Sequence, residues 1–347
     1  MKNWDDDGAS KFTTEAGLSS ELGYSVSVVI PVYRSERMLP ELSRQLATTL
    51  PAITKAYEVI FVEDGGNDGS WTVIASIAAT DPQVRGIRMS RNYGQHNALL
   101  CGIRAARYEV ILTMDDDLQH PVSEIAPMLA ALRPDFDVVY GTPQVASHGV
   151  LRNVASYLTK LALASAIGAA TARDVSAFRA FRTRLREGFH DFRSPFVSID
   201  VLLTWATTRF TAISVRHAPR AEGVSGYSMG KLVRHAFNLM TGFSSLPLQG
   251  ASMAGFAFVL FGVLILAFVL GNFLVHGSAV PGFAFLASLV VMFSGAQLFA
   301  LGIFGEYLAR MHFRSMDRPV YLVAETVAPR DSATPAVTPI TGNESHV

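Results

Sequence analysis

The chain has 347 residues, half of them hydrophobic, with 29 Lys and Arg against 29 Asp and Glu and therefore no formal net charge. That balance excludes a nucleic-acid binder working through a basic excess, and a mean hydropathy of +0.28 excludes an acidic disordered chain. Cys101 is the sole cysteine, so there is no internal disulfide and no zinc site of CxxC type. The averages hide an uneven distribution: residues 235–305 contain no Asp, Glu, Lys or Arg at all. A normally charged soluble part is joined to an uncharged one.

Residues 1–24 are polar without an apolar core, so no signal peptide is expected and the segment reads as a disordered tail. From residue 25 short apolar strands alternate with helical stretches. Strands are expected at 26–32, 57–62, 86–89, 109–114 and 137–140, and helices near 38–50, 70–79, 95–106 and 123–132. Apolar strands separated by helices predict an α/β domain, 25–220, with an open and mostly parallel sheet covered on both faces. Such a sheet binds ligands at the carboxyl ends of its strands. Three of those ends carry chemistry. The first strand runs into Pro31-Val32-Tyr33-Arg34-Ser35-Glu36, the second into Glu63-Asp64-Gly65-Gly66, and the fourth into Asp115-Asp116-Asp117-Leu118-Gln119-His120-Pro121.

Neither glycine-rich run matches GxGxxG or GxxxxGK[ST], so dinucleotide and P-loop readings fail. A phosphohydrolase of DxDx[TV] type is disfavoured because Gln119 stands where Thr or Val is required. Singly, each piece has a plainer reading: a helix cap for the Asp run, turn chemistry for Asp64-Gly65, filler for Tyr33. Their convergence on one sheet edge favours an acid-lined pocket. Acids beside a nucleotide diphosphate call for a cation between them, and Mg²⁺ or Mn²⁺ suits carboxylate and amide oxygens. That cation would also neutralise a departing diphosphate.

Residues 228–246 are amphipathic at helical spacing, with Leu232, Ala236, Leu239, Met240 and Phe243 opposite Lys231, Arg234, His235 and Asn238. This pattern suits an interfacial juxtamembrane segment, 221–250. Two runs follow, 253–275 and 283–304, each about the ~20 residues a bilayer helix needs. They predict a two-helix transmembrane hairpin, 251–308. Lys231 and Arg234 before it, and Arg310, Arg314 and Arg318 after it, place both termini in the cytoplasm by the positive-inside rule. Residues 309–347 read as a cytoplasmic tail.

In this order, strand, acidic turn, DxD, juxtamembrane helix and hairpin resemble the polyprenyl-phosphate glycosyltransferases, inverting enzymes of GT-A fold that include dolichyl-phosphate mannose synthase. The bacterial branch is the most similar: bactoprenol glucosyltransferases and undecaprenyl-phosphate formamido-arabinose transferases. The resemblance spans residues 25–325 and rests on MDDDLQHP, RNYGQHNALLCGIRAA, RAEGVSGYSMGKL and GAQLFALGIFGEYLAR. It implies sugar transfer from a nucleotide diphosphate, UDP favoured and GDP the alternative, to a polyprenyl phosphate at the cytoplasmic face of the inner membrane, with Mg²⁺ or Mn²⁺ as cofactor. It also suggests a homo-oligomer.

Carried over by position, Pro31, Tyr33, Glu36, Asp64, Arg91 and Asp115 correspond to nucleotide-binding residues. Asp115 and Asp117 form the DxD pair, with Asp117, Gln119 and Asp115 as metal ligands. Arg152, Arg220, Ser225 and Lys231 correspond to the cluster receiving the acceptor phosphate. Asp115, Asp117, Arg152 and Asp174 form the catalytic set. The chain departs from the family pattern at Ser176, which replaces a glycine, at Glu63, where Asp is usual, and at Gly226, where the family has a Lys. The Arg often found after the strand at 137–140 is missing from 141–144. Two other classes compete. A processive polysaccharide synthase should carry QxxRW and further spans, which this chain lacks; a non-catalytic nucleotide-sugar binder would not need the intact Asp115, Asp117 and Gln119.

Overall fold

The computed structural model describes residues 23–143, 174–194, 196–218, 246–276, 282–316 and 318–328. The described part of the domain begins with β1 (Ser25–Val32), α1 (Leu39–Ile53), β2 (Ala56–Glu63), α2 (Ser70–Thr80), β3 (Val84–Met89), α3 (Gln95–Ala105) and β4 (Val110–Thr113). Then come α4 (Ile125–Ala131), β5 (Val138–Pro143), β6 (Arg179–Arg182), α5 (Ile199–Ala206) and β7 (Phe210–Val215). Two long helices, α6 (Leu246–His276) and α7 (Phe283–Ser315), precede the last strand, β8 (Val323–Val327).

All eight strands form one sheet in the order β7-β5-β6-β4-β1-β2-β3-β8. The centre is parallel, as the alternating pattern predicts: β1 pairs with β2 and β4, and β2 with β3. The flanks are not. β6 inserts antiparallel between β4 and β5, and β8 pairs antiparallel with β3. β6, β7 and β8 are not among the strands expected from the sequence. The sheet is therefore mixed and mostly parallel, as expected.

Every residue of β1 after Ser25 is buried, as expected of a strand covered on both faces. On one face Val28, Ile30, Phe61 and Leu112 pack beneath the Leu39, Leu42, Leu46 and Leu50 stripe of α1. These four leucines recur at helical spacing, and Pro40 in the first turn supplies a φ already suited to a helix. On the other face Val29, Ile60 and Ile111 pack with α3 and α5. Each fully buried aliphatic side chain contributes roughly 1.5–3 kcal/mol.

The end of the sheet away from β1's exit is tied by Asp137, which is buried and accepts from Arg184 (2.8 Å), Arg209 (2.7 and 2.9 Å) and Thr207 (2.7 Å). Burial opposes ionisation here, but the bonds from Arg209 and Arg184 outweigh it and hold the carboxyl well below its usual range. A depressed carboxylate stabilises fully above the unfolded-state value, ~3.9, and loses that contribution as pH falls through the folded-state value. Asp137→Asn is therefore expected to cost about 2 kcal/mol at neutral pH. Thermal unfolding from pH 6 to pH 2 should also show a shallower acid loss than the unsubstituted protein.

α6 is long and apolar enough to cross a membrane over Pro247–Val275. Met253, Phe256, Leu264 and Phe268 stand exposed along it, which a bilayer would cover. α7 contains no charged residue before Glu306 and meets α6 through Phe258 and Phe293, whose rings lie 5.7 Å apart. At its far end Glu306 pairs with Arg310 at 2.7 Å, and the Arg310 guanidinium lies 4.4 Å from the Phe196 ring of the α/β domain. The expected amphipathic helix at 228–246 lies outside the described residues, apart from Leu246.

Candidate active site

Three parallel strands, β4, β1 and β2, end together, and their following loops enclose a cleft of ≈ 230 Å³. Its wall is made by Pro31 and Val32 at the end of β1 with Tyr33 after it, Asp64 after β2, Asn92, Gly94 and Gln95 after β3, and Asp115, Asp116 and Asp117 after β4. Every left-handed residue among those described lies in these loops: Arg34, Gly65, Asn67, Gly94 and Leu118. Such backbone is costly for non-glycine residues and concentrates at functional sites. It turns each loop sharply enough to bring four strand ends around one space.

Asp64 is 3% exposed, and both its oxygens are engaged by the loop after β3: Tyr93 N–H donates to Oδ1 at 2.7 Å and Gly94 N–H to Oδ2 at 2.8 Å. Burial raises its pKa, and the neighbouring Glu63 charge adds to that, against the two N–H donors. Gly65 has φ +64°, and a Cβ there would lie 2.5 Å from the backbone nitrogen of Asn92. Only glycine allows the two loops to touch at this point.

Asp115 Oδ1 accepts from Gln95 Nε2 at 2.7 Å. Asp116 Oδ2 accepts from the Tyr33 N–H at 3.2 Å, tying the β4 loop to the β1 loop. Burial raises the Asp116 pKa, and the adjacent Asp117 charge raises it further. Asp117 Oδ1 accepts from the Gln119 N–H at 3.2 Å, which closes the turn carrying the left-handed Leu118. The Tyr33 ring is 46% exposed at the cleft mouth with the Arg34 guanidinium 5.2 Å from its centre, a platform on which a flat base can stack. His120 is buried, stacked at 5.1 Å on Phe178, and burial followed by the facing His217 pushes its pKa down to about 4.

The structure thus brings together Pro31, Tyr33, Asp64, Asp115 and Asp117 of the residues expected from the sequence. It places the others elsewhere. Glu36 turns to the α2 entrance, where its Oε2 accepts from the Gly69 N–H at 3.1 Å. Arg91 lies over the Tyr93 ring at 4.6 Å and is not in the cleft wall. The Gln119 backbone is used by Asp117 and by Ala218, and its side chain does not line the cleft. Asp174 is exposed at the start of the segment entering β6, outside the cleft wall. Arg152, Arg220, Ser225 and Lys231 lie outside the described residues. Asp116, Asn92, Gly94 and Gln95 were not singled out as site residues. Their signal was position: the first stands between two marked acids, and the others open the helix after the third strand.

Among the described residues no three His, Cys, Asp or Glu side chains converge as a metal cluster. Asp115 and Asp117 nevertheless present two carboxylates to one cleft, a donor set that fits a hard divalent cation if a ligand supplies the remaining oxygens.

Residues 27–191 match the family model "Glycosyl transferase family 2". The chain is 34% identical over 314 residues to the undecaprenyl-phosphate 4-deoxy-4-formamido-L-arabinose transferase of Pseudomonas paraeruginosa, covering 90% of this chain and 93% of that one. It is 32% identical over 324 residues to the protein of the same name from Pectobacterium atrosepticum, covering 92% and 98%. A solved structure similar to it is glucosyl-3-phosphoglycerate synthase from Mycobacterium tuberculosis in complex with Mn²⁺ and UDP-glucose, with 15% identity, a TM-score of 0.45, and coverage of 63% of this chain and 77% of that one. With its strand-end cleft, its family match and relatives aligned along nearly their whole length, the chain belongs to glycosyl transferase family 2 and is a glycosyltransferase.

Proposed function

We propose that the protein transfers a sugar from a nucleotide diphosphate, UDP favoured over GDP, to a polyprenyl phosphate of undecaprenyl type at the cytoplasmic face of the inner membrane. The observation that carries this reading is an acid-lined cleft in a chain that also holds two long apolar helices, the second of them followed by a strand of the same sheet. The relatives' name, undecaprenyl-phosphate transferase, supports the acceptor class.

A two-span hairpin is supported by topology. β8 follows α7 and pairs with β3, so a chain that leaves the domain through α6 must come back to it. α6 and α7, at 31 and 33 residues, are each about 45–50 Å long, more than the ~30 Å hydrocarbon core. A crossing by α6 therefore supports a second by α7, with the strands of the sheet on one side.

The acceptor phosphate has its second pKa near ~6 and is already anionic at neutral pH, so it attacks the anomeric carbon without a general base. This chain's residues bind and orient. Tyr33 stacks the base, Asp64 and Asp116 hold the loops that form the walls, and Asp115 and Asp117 face the diphosphate. A divalent cation held by Asp115 and Asp117 would neutralise the departing diphosphate. Arg152, Arg220, Ser225 and Lys231 are proposed to receive the acceptor phosphate, with Arg forks suited to bidentate contact. Asp174, Glu36, Arg91 and Gln119 are proposed to join the site only when substrates are bound. A homo-oligomer built through the membrane helices is part of the same proposal.

The test offers membranes containing the protein undecaprenyl phosphate and a panel of labelled nucleotide sugars, with Mg²⁺, Mn²⁺ or EDTA. Label should enter the lipid phase as a single sugar from one donor and vanish with EDTA. Label accumulating in polymer would show a processive synthase instead, and no transfer from any donor would overturn the reading.

A further inference from the structure

The loop Ser90–Gln95 forms one wall of the cleft, yet it follows β3, which without β8 would be the edge of the sheet. A loop at a free edge would rest on the contacts it makes toward β2 and β4, namely Asp64, Gly65 and the Gln95–Asp115 bond. The segment that returns from α7 supplies the other side. β8 pairs with β3 through Gly86 with Val327, Ile87 with Thr326 and Arg88 with Glu325. Immediately beyond, the Ser90 N–H donates to the Leu322 carbonyl at 2.9 Å, and the Ser90 hydroxyl lies 3.0 Å from the Tyr93 hydroxyl.

Side chains reinforce the ladder. A row runs across three strands, with Arg88 3.5 Å from buried Glu63 and 3.7 Å from Glu325. Tyr321 is hydrogen-bonded with the thiol of Cys101 on α3. The Arg104 guanidinium lies 5.8 Å from the same ring, and Val320 is 6% exposed in the core beneath α3. At the other end Val327 occupies a socket opened by Gly86: a Cβ at Gly86 would lie 2.7 Å from the Val327 side chain and 2.5 Å from Ile74. The strap therefore grips β3 before the loop and α3 after it.

We infer that the strap Val320–Val327 is a positioning element for the loop Ser90–Gln95, so that the donor wall of the cleft is complete only when the chain has returned from its long helices. That the loop holds the donor rests on the function proposed above. The strap touches no reacting atom. It removes the freedom of a loop whose N–H groups must stay aimed at Asp64.

The experiment uses the full chain in detergent with hydrogen exchange read by peptide, together with steady-state kinetics. Val327→Asp puts a charge into the Gly86 socket at an edge strand, where folding of the domain should survive. Exchange is expected to rise about tenfold in 318–328 and in 90–95, with 110–113 unchanged. KM for the nucleotide sugar should rise about tenfold with kcat within about threefold. Gly86→Val fills the socket from the sheet side and must give the same pattern. A loosened strap with loop 90–95 at its original protection overturns the inference, as does failure of both variants to change that loop. Faster exchange in the loop with unchanged KM supports the strap's role and overturns the donor reading of the cleft.

Discussion

Asp117→Ala is expected to lower sugar transfer by about 10³-fold while membrane insertion and thermal unfolding stay close to those of the unsubstituted protein. The side chain lines the cleft in the loop after β4, and its Oδ1 accepts from the Gln119 N–H within its own turn. Its charge is what the proposed chemistry needs, beside Asp115 and opposite a diphosphate. Asp117→Asn separates the two roles: the amide oxygen can still accept from Gln119, but the charge is gone. If charge is the function, the Asn and Ala variants fall together; the measurement is label entering the lipid phase per mole of inserted protein. Activity retained by both would remove Asp117 from the machinery.

The second large effect is on stability. Asp200 on α5 is buried, with Arg179 Nη1 at 2.5 Å from its Oδ1 and the Tyr140 hydroxyl donating to the same oxygen at 3.0 Å. Arg179 is itself 2% exposed. Burial pushes the Tyr140 hydroxyl pKa well up, so it stays a neutral donor. Asp200→Ala leaves a guanidinium charge without its counter-ion in the core between β5, β6 and α5, at an expected cost of about 3–5 kcal/mol. The protein should unfold many degrees lower, or fail to accumulate. The double replacement Arg179→Met, Asp200→Leu should recover most of the loss, because a buried ion pair exchanged for apolar side chains of similar size is near neutral. A double variant as unstable as the single one would show that the pair specifies the fold beyond its charge balance.

Legibility in the sequence followed the range of the interactions. The central strands and α1 to α3 were readable because burial on both faces leaves an unbroken apolar run in each strand and a leucine stripe in α1. Asp64, Asp115 and Asp117 were readable because parallel topology puts the ends of β2 and β4 beside that of β1, whatever lies between them in sequence. Glu36 and Gln119 point the other way. Each sits in a marked segment, yet Glu36 serves the Gly69 turn and Gln119 lends its backbone to Asp117. Position in a segment does not say which way a side chain leaves a left-handed turn. Asp116, between Asp115 and Asp117, has no motif signal of its own, yet it ties Tyr33 to the DxD loop.

The sequence by itself determined a neutral chain of two parts: an α/β domain with acids at three strand ends, and a charge-free stretch of bilayer-length helices. Those properties reside in composition and short-range periodicity, which a linear reading retains. Only the tertiary structure decided that β6 and β8 turn a parallel sheet into a mixed one, and that both oxygens of Asp64 hold a loop. It also decided that Val323–Val327, beyond the second long helix, pair with β3 in the catalytic sheet. Those outcomes depend on antiparallel pairings and backbone hydrogen bonds between segments far apart in sequence, and such pairings leave no periodic mark on either partner alone.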